Sequence, residues 1–239
     1  MNYFIEANDG YYSLTSAGTI FCLIVAALLF IAVTIIKTKM DEAFSKGDEK
    51  KEKASIFSVR QLAFSGVALA LAYSLSFVKL IHMPWGGSVT LCSMLFVCLI
   101  GYWYGPKIGL VCAFTYSLLQ FVQGGGSYII SPLQVALDYL LAFTALGFSG
   151  FFSKNKNGLI IGYIVAVLGR FIFTCGASYL FWMDYMPEEF PKTLSVIYPL
   201  CYNFAYMGVE AILTVVILMI KPVTAAMDKV RSMANGTGK

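Results

Sequence analysis

Seven long apolar runs, separated by short polar breaks, constrain this chain more than any other feature. Leu14 to Ile36 carries no charged residue, and about 20 apolar residues suffice for an α-helix to cross the hydrocarbon core of a bilayer. Six further runs follow at roughly 60–81, 88–104, 107–123, 133–152, 158–182 and 194–220. Charged residues make up 13% of the 239, about half the share a water-soluble domain carries, and mean hydropathy is +0.75. These numbers describe an all-α integral membrane protein. The six cysteines all lie in apolar stretches and none forms a Cys-x-x-Cys, so they read as packing residues rather than a disulfide framework or a zinc site.

The breaks divide the chain into four parts. Residues 1–38 comprise a polar lead with Glu6 and Asp9, then the first apolar run; without a basic leader or an Ala-x-Ala-like end, that run reads as a retained membrane helix. Residues 39–58 form a mixed-charge linker, a solvated cytoplasmic connector. Residues 59–221 hold the remaining six segments, with turns expected at Gly105-Pro106 and Lys154–Gly158. The segment after Pro84-Trp85-Gly86-Gly87 is short and reads as oblique or partly irregular. Lys221-Pro222 ends the last helix, and 222–239 is a basic tail.

Charge asymmetry gives the orientation. With the amino terminus outside and the carboxyl terminus cytoplasmic, fourteen of the seventeen basic residues fall on the cytoplasmic side. Only Lys79 and Lys192 lie outside, and Arg170 is within the membrane. Such a bias is the positive-inside pattern of a multi-pass protein of the cell membrane. The net charge of +4 therefore concerns topology and does not point to nucleic acid. No internal repeat is visible, which weakens the case for a self-sufficient secondary transporter.

Three charges are embedded in apolar segments: Asp138, Arg170 and Glu210. An acid in such a helix costs roughly 2.5–3.5 kcal/mol on insertion scales and needs a partner. For Arg170 and Glu210 the plain reading is a mutual pair locking two helices; the sharper one, ion coupling, lacks a supporting chain of acids. Asp138 is shallow and has aromatic company. Ser131, Pro132 and Gln134 before it read as N-cap, first helical residue and capping-box partner. Helical spacing sets Gln134, Asp138, Ala142, Ala145 and Ser149 on one inward stripe. Tyr139, Tyr128, Trp85, Trp182, Tyr198 and Asn203 belong to the same outer half. Single aromatics there are as readily an interfacial belt as a site. A carboxylate, an amide and several aromatics together favour a pocket for a flat, cationic, aromatic solute.

The helix from Arg60 carries Gly66-x-x-x-Ala70 and Ala68-x-x-x-Ala72, spacings that let another helix approach closely. His82 reads as a loop residue. Gly-x-x-x-x-Gly-Lys-[Ser/Thr], Gly-x-Ser-x-Gly and His-Glu-x-x-His are all absent, so neither a Walker ATPase nor a hydrolase is indicated, and no cofactor is expected.

From about Ser58 to Lys221 the chain resembles the ThiT/YuaJ family, the thiamine-binding S components of energy-coupling factor (ECF) vitamin transporters. The likeness rests on Met83-Pro84-Trp85-Gly86-Gly87-Ser88-Val89-Thr90, on Ser131-Pro132-Leu133-Gln134 through Leu137-Asp138-Tyr139 to Gly147-x-x-Gly150, and on Tyr198-x-x-x-Tyr202-Asn203-x-x-Tyr206-Met207-x-x-Glu210. It implies a six-helix S-component core, here preceded by one extra N-terminal transmembrane helix, with a thiamine pocket near the outer surface. It places Asp138 opposite the aminopyrimidine, Tyr128, Tyr139 and Trp182 as pocket aromatics, Tyr198 and Asn203 as polar contacts, and Trp85 as a lid aromatic. Gly66 and Ala70 fall on the face that packs against the scaffold subunit. Thr174 stands where the family has a histidine, four residues after the basic residue of the fifth core helix. The resemblance further implies a membrane scaffold subunit and two ABC-type ATPase subunits as partners. An S component for a thiamine precursor or other small cationic aromatic vitamin is the first alternative. A membrane scaffold or sensor with no transport role is the second.

Overall fold

A computed structural model of the chain describes residues 5–8, 11–21, 24, 58–84 and 86–237. Most of the first apolar run, the charged linker and Trp85 lie outside the described residues. Ahead of them, the polar lead forms an antiparallel hairpin, β1 (Ile5–Asn8) on β2 (Tyr11–Leu14), with Ile5 opposite Leu14 and Asn8 opposite Tyr11. Residues 16–21 then turn helical, and Thr15 Oγ1 accepts from the Gly18 amide at 3.1 Å.

Helix α1 spans Val59–Ser76 and opens with a reciprocal capping box: Ser58 Oγ accepts from the Gln61 amide at 3.2 Å, and Gln61 Oε1 from the Ser58 amide at 3.0 Å. It stops sooner than the apolar run suggests. Lys79–His82 (β3) instead pairs antiparallel with Ser88–Thr90 (β4), across a loop in which Gly86 and Gly87 take φ of +97° and +81°. Those left-handed angles suit glycine and let the chain reverse. The expected segments 60–81 and 88–104 therefore lose their facing ends to this hairpin, and the second helix, α2, covers Ser93–Tyr104.

Helix α3 (Pro106–Gln123) begins at once, with Gly105 at φ +85° and Pro106 as its first residue. Pro132–Phe152 forms α4, Gly158–Phe181 forms α5, and a short 3-10 lead at Lys192–Ile197 runs into α6, Tyr198–Met219. Among the described residues, three stretches are long and apolar enough to cross a membrane: α4, α5 and Lys192–Met219; α2 is a shorter apolar helix. The described part of the molecule is mainly helical.

Close backbone approach fixes how α2, α3 and α4 meet. A Cβ at Gly147 would lie 2.6 Å from Leu110 Cα, one at Gly150 2.5 Å from Pro106 N, and one at Gly109 2.7 Å from Gly101 Cα. Ser149 Oγ donates to the Cys98 carbonyl at 2.8 Å across the same seam. Helices in lipid gain little from apolar burial against one another, so such small-residue contacts and interhelical hydrogen bonds carry the association. On α1 the two small-residue spacings divide: Ala68 and Ala72 are buried in the bundle, whereas Gly66 and Ala70 are exposed.

The expected basic tail is largely a helix. Ile220 leaves helical geometry at ψ 114°, and Lys221–Asn235 (α7) folds back under the bundle. Val223, Met227, Val230 and Ala234 recur on one face and pack against the core. Arg231 donates to Tyr102 Oη at 2.8 Å and to the Ser153 carbonyl, with its guanidinium carbon 4.2 Å from the Tyr102 ring centroid. The period of the apolar positions was legible in the tail; its basic composition masked it.

Candidate functional site

At the end of the bundle opposite α7, hairpin β3–β4, the start of α2 and helices α1, α3, α4, α5 and α6 enclose a cavity of about 570 Å³. Tyr128, Asp138, Tyr139, Thr174, Trp182, Tyr198 and Asn203, all anticipated from sequence, line it. Gly66 and Ala70 lie away from it on the outer face of α1, and His82 is an exposed residue of β3.

The local sequence explains where Asp138 points. Ser131 caps α4, its Oγ accepting from the Gln134 amide at 3.1 Å, and Pro132 fills the first helical position. Gln134 does not complete the expected box. Its Oε1 takes the Ile130 amide at 3.4 Å, and its Nε2 donates to Asp138 Oδ2 at 3.1 Å. From Ala136 to Leu141 the helix is π-helical. A wider turn of this kind occurs mostly as a short insertion in an α-helix, often at a functional site. Around it the inward stripe holds as expected, with Gln134, Ala142, Ala145 and Ser149 buried.

Trp182, at the C-terminal cap of α5, supplies the second partner: its Nε1 donates to Asp138 Oδ2 at 2.8 Å. Both bonds fall on one carboxylate oxygen, and neither uses Oδ1. The Tyr128 ring lies 5.9 Å from that of Trp182, tilted by 32°, and Tyr185 lies 5.5 Å from Trp182 on centroids. The Tyr128 and Tyr185 hydroxyls are 2.6 Å apart, a hydrogen bond that pushes the Tyr128 phenol above its ordinary pKa. Tyr139 stacks on Phe143 at 6.4 Å. Across the cavity, Tyr198 packs between Phe190 and Tyr202, at 5.1 and 5.8 Å.

Asn203 is fully engaged. Its Nδ2 donates to Ser178 Oγ and to the Pro199 carbonyl, both at 2.8 Å, and its Oδ1 accepts from Tyr206 Oη at 2.8 Å. It therefore joins α5 to α6 at the cavity wall. Thr174 Oγ1 is turned back on its own helix, donating toward the Arg170 and Phe171 carbonyls at 3.1 Å each.

The expected pair between Arg170 and Glu210 is absent among the described residues. The Arg170 guanidinium carbon stands 4.1 Å from the Phe143 centroid, and its buried Nε has no hydrogen-bond partner among the described residues. Glu210 turns instead to the start of α2. Its Oε2 accepts from the Thr90 amide at 2.9 Å and Thr90 Oγ1 at 2.7 Å, and its Oε1 from Ser93 Oγ at 3.5 Å and the Met94 amide at 3.4 Å. Four donors and a helix N-terminus satisfy the charge without the arginine.

Sequence reasoning missed a polar cluster on the α1–α3 wall. Ser76 Oγ and Gln120 Nε2 both donate to Gln123 Oε1, at 2.8 and 3.0 Å, and Gln120 Nε2 also donates to Tyr116 Oη at 2.9 Å. Two glutamines three residues apart in an otherwise apolar helix were the available signal.

Residues 62–229 match the Thia_YuaJ family, described as a thiamine transporter protein. The chain belongs to that family. Thia_YuaJ membership spans α1 through most of α7, including every cavity-lining helix. Thiamine transporter ThiT of Bacillus subtilis (strain 168) is 32% identical over 155 residues, which cover 61% of this chain and 80% of the relative. A solved structure of ThiT from Listeria monocytogenes superposes with a TM-score of 0.53 at 25% identity, covering 68% of this chain and 94% of that one. The family and the Bacillus subtilis relative are named as transporters, not as enzymes, and the family and the apolar helices make this Thia_YuaJ chain a membrane protein.

Proposed function

We propose that the chain is the substrate-binding membrane subunit of a thiamine uptake system, capturing thiamine from outside in the cavity around Asp138. The observation that carries this reading is the carboxylate itself: Asp138, set by Gln134 and Trp182, faces an aromatic-lined cavity, and both of those bonds fall on Oδ2, leaving Oδ1 without a partner among the described residues. A carboxylate recognises an aminopyrimidine through charge-assisted hydrogen bonds, and Trp182, Tyr128, Tyr139 and Tyr198 offer stacking and cation–π faces to a positively charged ring. Thr174, where the family has histidine, presents a hydroxyl whose one donor is turned to its own helix and which can only accept from a ligand, so recognition falls more heavily on Asp138 and the aromatics. Trp85 belongs to the proposed site by its motif.

In this reading α1–α6 form the six-helix S-component core, the extra N-terminal helix precedes it, and the cavity mouth faces outward while α7 lies on the cytoplasmic side. The chain lacks a Walker motif, so an ECF scaffold subunit and two ABC-type ATPases supply the energy, and α1 docks on the scaffold through Gly66 and Ala70.

Titration of the purified protein with thiamine, followed by tryptophan fluorescence, tests the reading. Saturable quenching that shifts to at least about tenfold higher thiamine concentration in Asp138→Asn supports it. Tight binding of a pyrimidine precursor with none of thiamine would change the ligand, and binding of neither would leave a scaffold or sensor.

A further inference from the structure

We propose that Glu210 is a positioning residue for the cavity: it fastens the β3–β4 hairpin and the start of α2 to α6, so that loop residues Gly86 to Ser88 are held as a cavity wall. Three contacts along α6, spaced one helical turn apart, converge on this hairpin. Tyr202 Oη donates to the Gly86 carbonyl at 2.9 Å. Gly87 lies so close to Tyr206 that a Cβ there would stand 2.8 Å from the ring. Glu210 takes both the amide and the hydroxyl of Thr90. Gly86, Gly87, Ser88, Thr90 and Glu210 all line the cavity, so the clasp and the wall are one structure.

Chemistry singles out Glu210 within this row. It is 2% exposed, and all four of its partners are donors, a pattern a carboxylate satisfies completely. It also faces the N-terminus of α2, twelve residues long, where negative charge is favoured. Between β4 and α2, Cys92 holds a left-handed φ of 55°, uncommon for a residue with a side chain. The bonds to Thr90 and Met94 flank that residue and hold the junction on both sides. A glutamine could accept from Thr90 but would turn an amide donor toward Met94 N–H, so it should restore part of the clasp.

The ligand arm of the test rests on the proposed thiamine function; the structural arm does not. Hydrogen exchange of residues 83–90 and the thiamine dissociation rate are measured on Glu210→Ala, Glu210→Gln and Thr90→Val. Expected are at least tenfold faster exchange and at least tenfold faster dissociation in Glu210→Ala, with intermediate values in the other two. Thr90→Val keeps the backbone bond, so it reports even where Glu210→Ala fails to fold. Exchange at 83–90 unchanged from wild type in the folded variants, whatever the loss of melting temperature, would overturn the proposal. Wild-type protein that does not bind thiamine while exchange still rises in the variants would sink the transport reading and leave the clasp standing.

Discussion

Trp182 Nε1 donates to Asp138 Oδ2 at 2.8 Å, tying the end of α5 to the π-helical turn of α4. The bond sets the carboxylate's direction and uses up one of its oxygens. It also makes an intrinsic fluorophore part of the site.

Removing the charge and removing the tether should therefore separate. A hydrogen bond to a charged group contributes about 1.5–3 kcal/mol, so Asp138→Asn should weaken thiamine binding by roughly tenfold to about a hundredfold. Trp182→Phe keeps a ring but frees the carboxylate, and a loss of about tenfold or less is expected on the same scale. Isothermal titration reads both without relying on the indole. Equal, full affinity in the two variants would remove Asp138 from the site.

The seam of α2, α3 and α4 has no room for a methyl group at Gly147, whose Cβ would meet backbone at 2.6 Å. Overpacking of this kind costs typically about 1–3 kcal/mol, so Gly147→Ala should lower the melting temperature in detergent by several degrees. Gly66→Ala, with nothing within 4 Å of the added carbon, should leave melting unchanged.

On the outer face of α1, bulk should spare binding and stop uptake. Ala70→Trp is expected to retain the thiamine affinity of wild type while cells expressing it with the coupling subunits lose transport. Uptake that survives would show that this face is not where the scaffold docks.

Arg231 anchors α7 through Tyr102 and Ser153, at the end away from the cavity. Arg231→Ala leaves Tyr102 Oη and a carbonyl without their cationic donor, a loss of about 1–3 kcal/mol in stability. Melting should fall while the dissociation constant for thiamine stays within about twofold, since sites without shared partners behave additively.

Topology can be read directly. In a background lacking the exposed Cys201, a cysteine at Ser127 should react with an impermeant maleimide added to intact cells, and one at Asn155 only after lysis. The reverse pattern would invert the proposed orientation.

Much of the site was legible because its parts are local. Ser131 and Pro132 announce the start of α4 by their own chemistry, and the buried stripe from Gln134 to Ser149 follows from helical spacing. Tyr128, Tyr139, Trp182 and Tyr198, grouped with Asp138 on sequence, line one cavity with it. The hairpin after α1 was not legible: Leu80 and Ile81 extend an apolar run, and hydropathy alone does not separate a strand from a further helical turn. Glu210 was misassigned for a related reason. An acid and an arginine embedded in neighbouring helices suggest each other, whereas the true partners of Glu210 are amides and hydroxyls at a helix start, which composition cannot display. The π-helical turn leaves no mark in residue type at all.

That turn divides α4 into two independent halves. An α-helix advances about 100° per residue, so one residue inserted into or removed from a turn rotates everything beyond it by that amount. The half carrying Gln134 faces the cavity, and the half carrying Gly147 and Gly150 faces α3, with Ala136–Leu141 adjusting the phase between them. Ligand recognition and helix packing can then diverge separately in sequence. A single-residue deletion in this turn would remove that adjustment and force one of the two faces out of register.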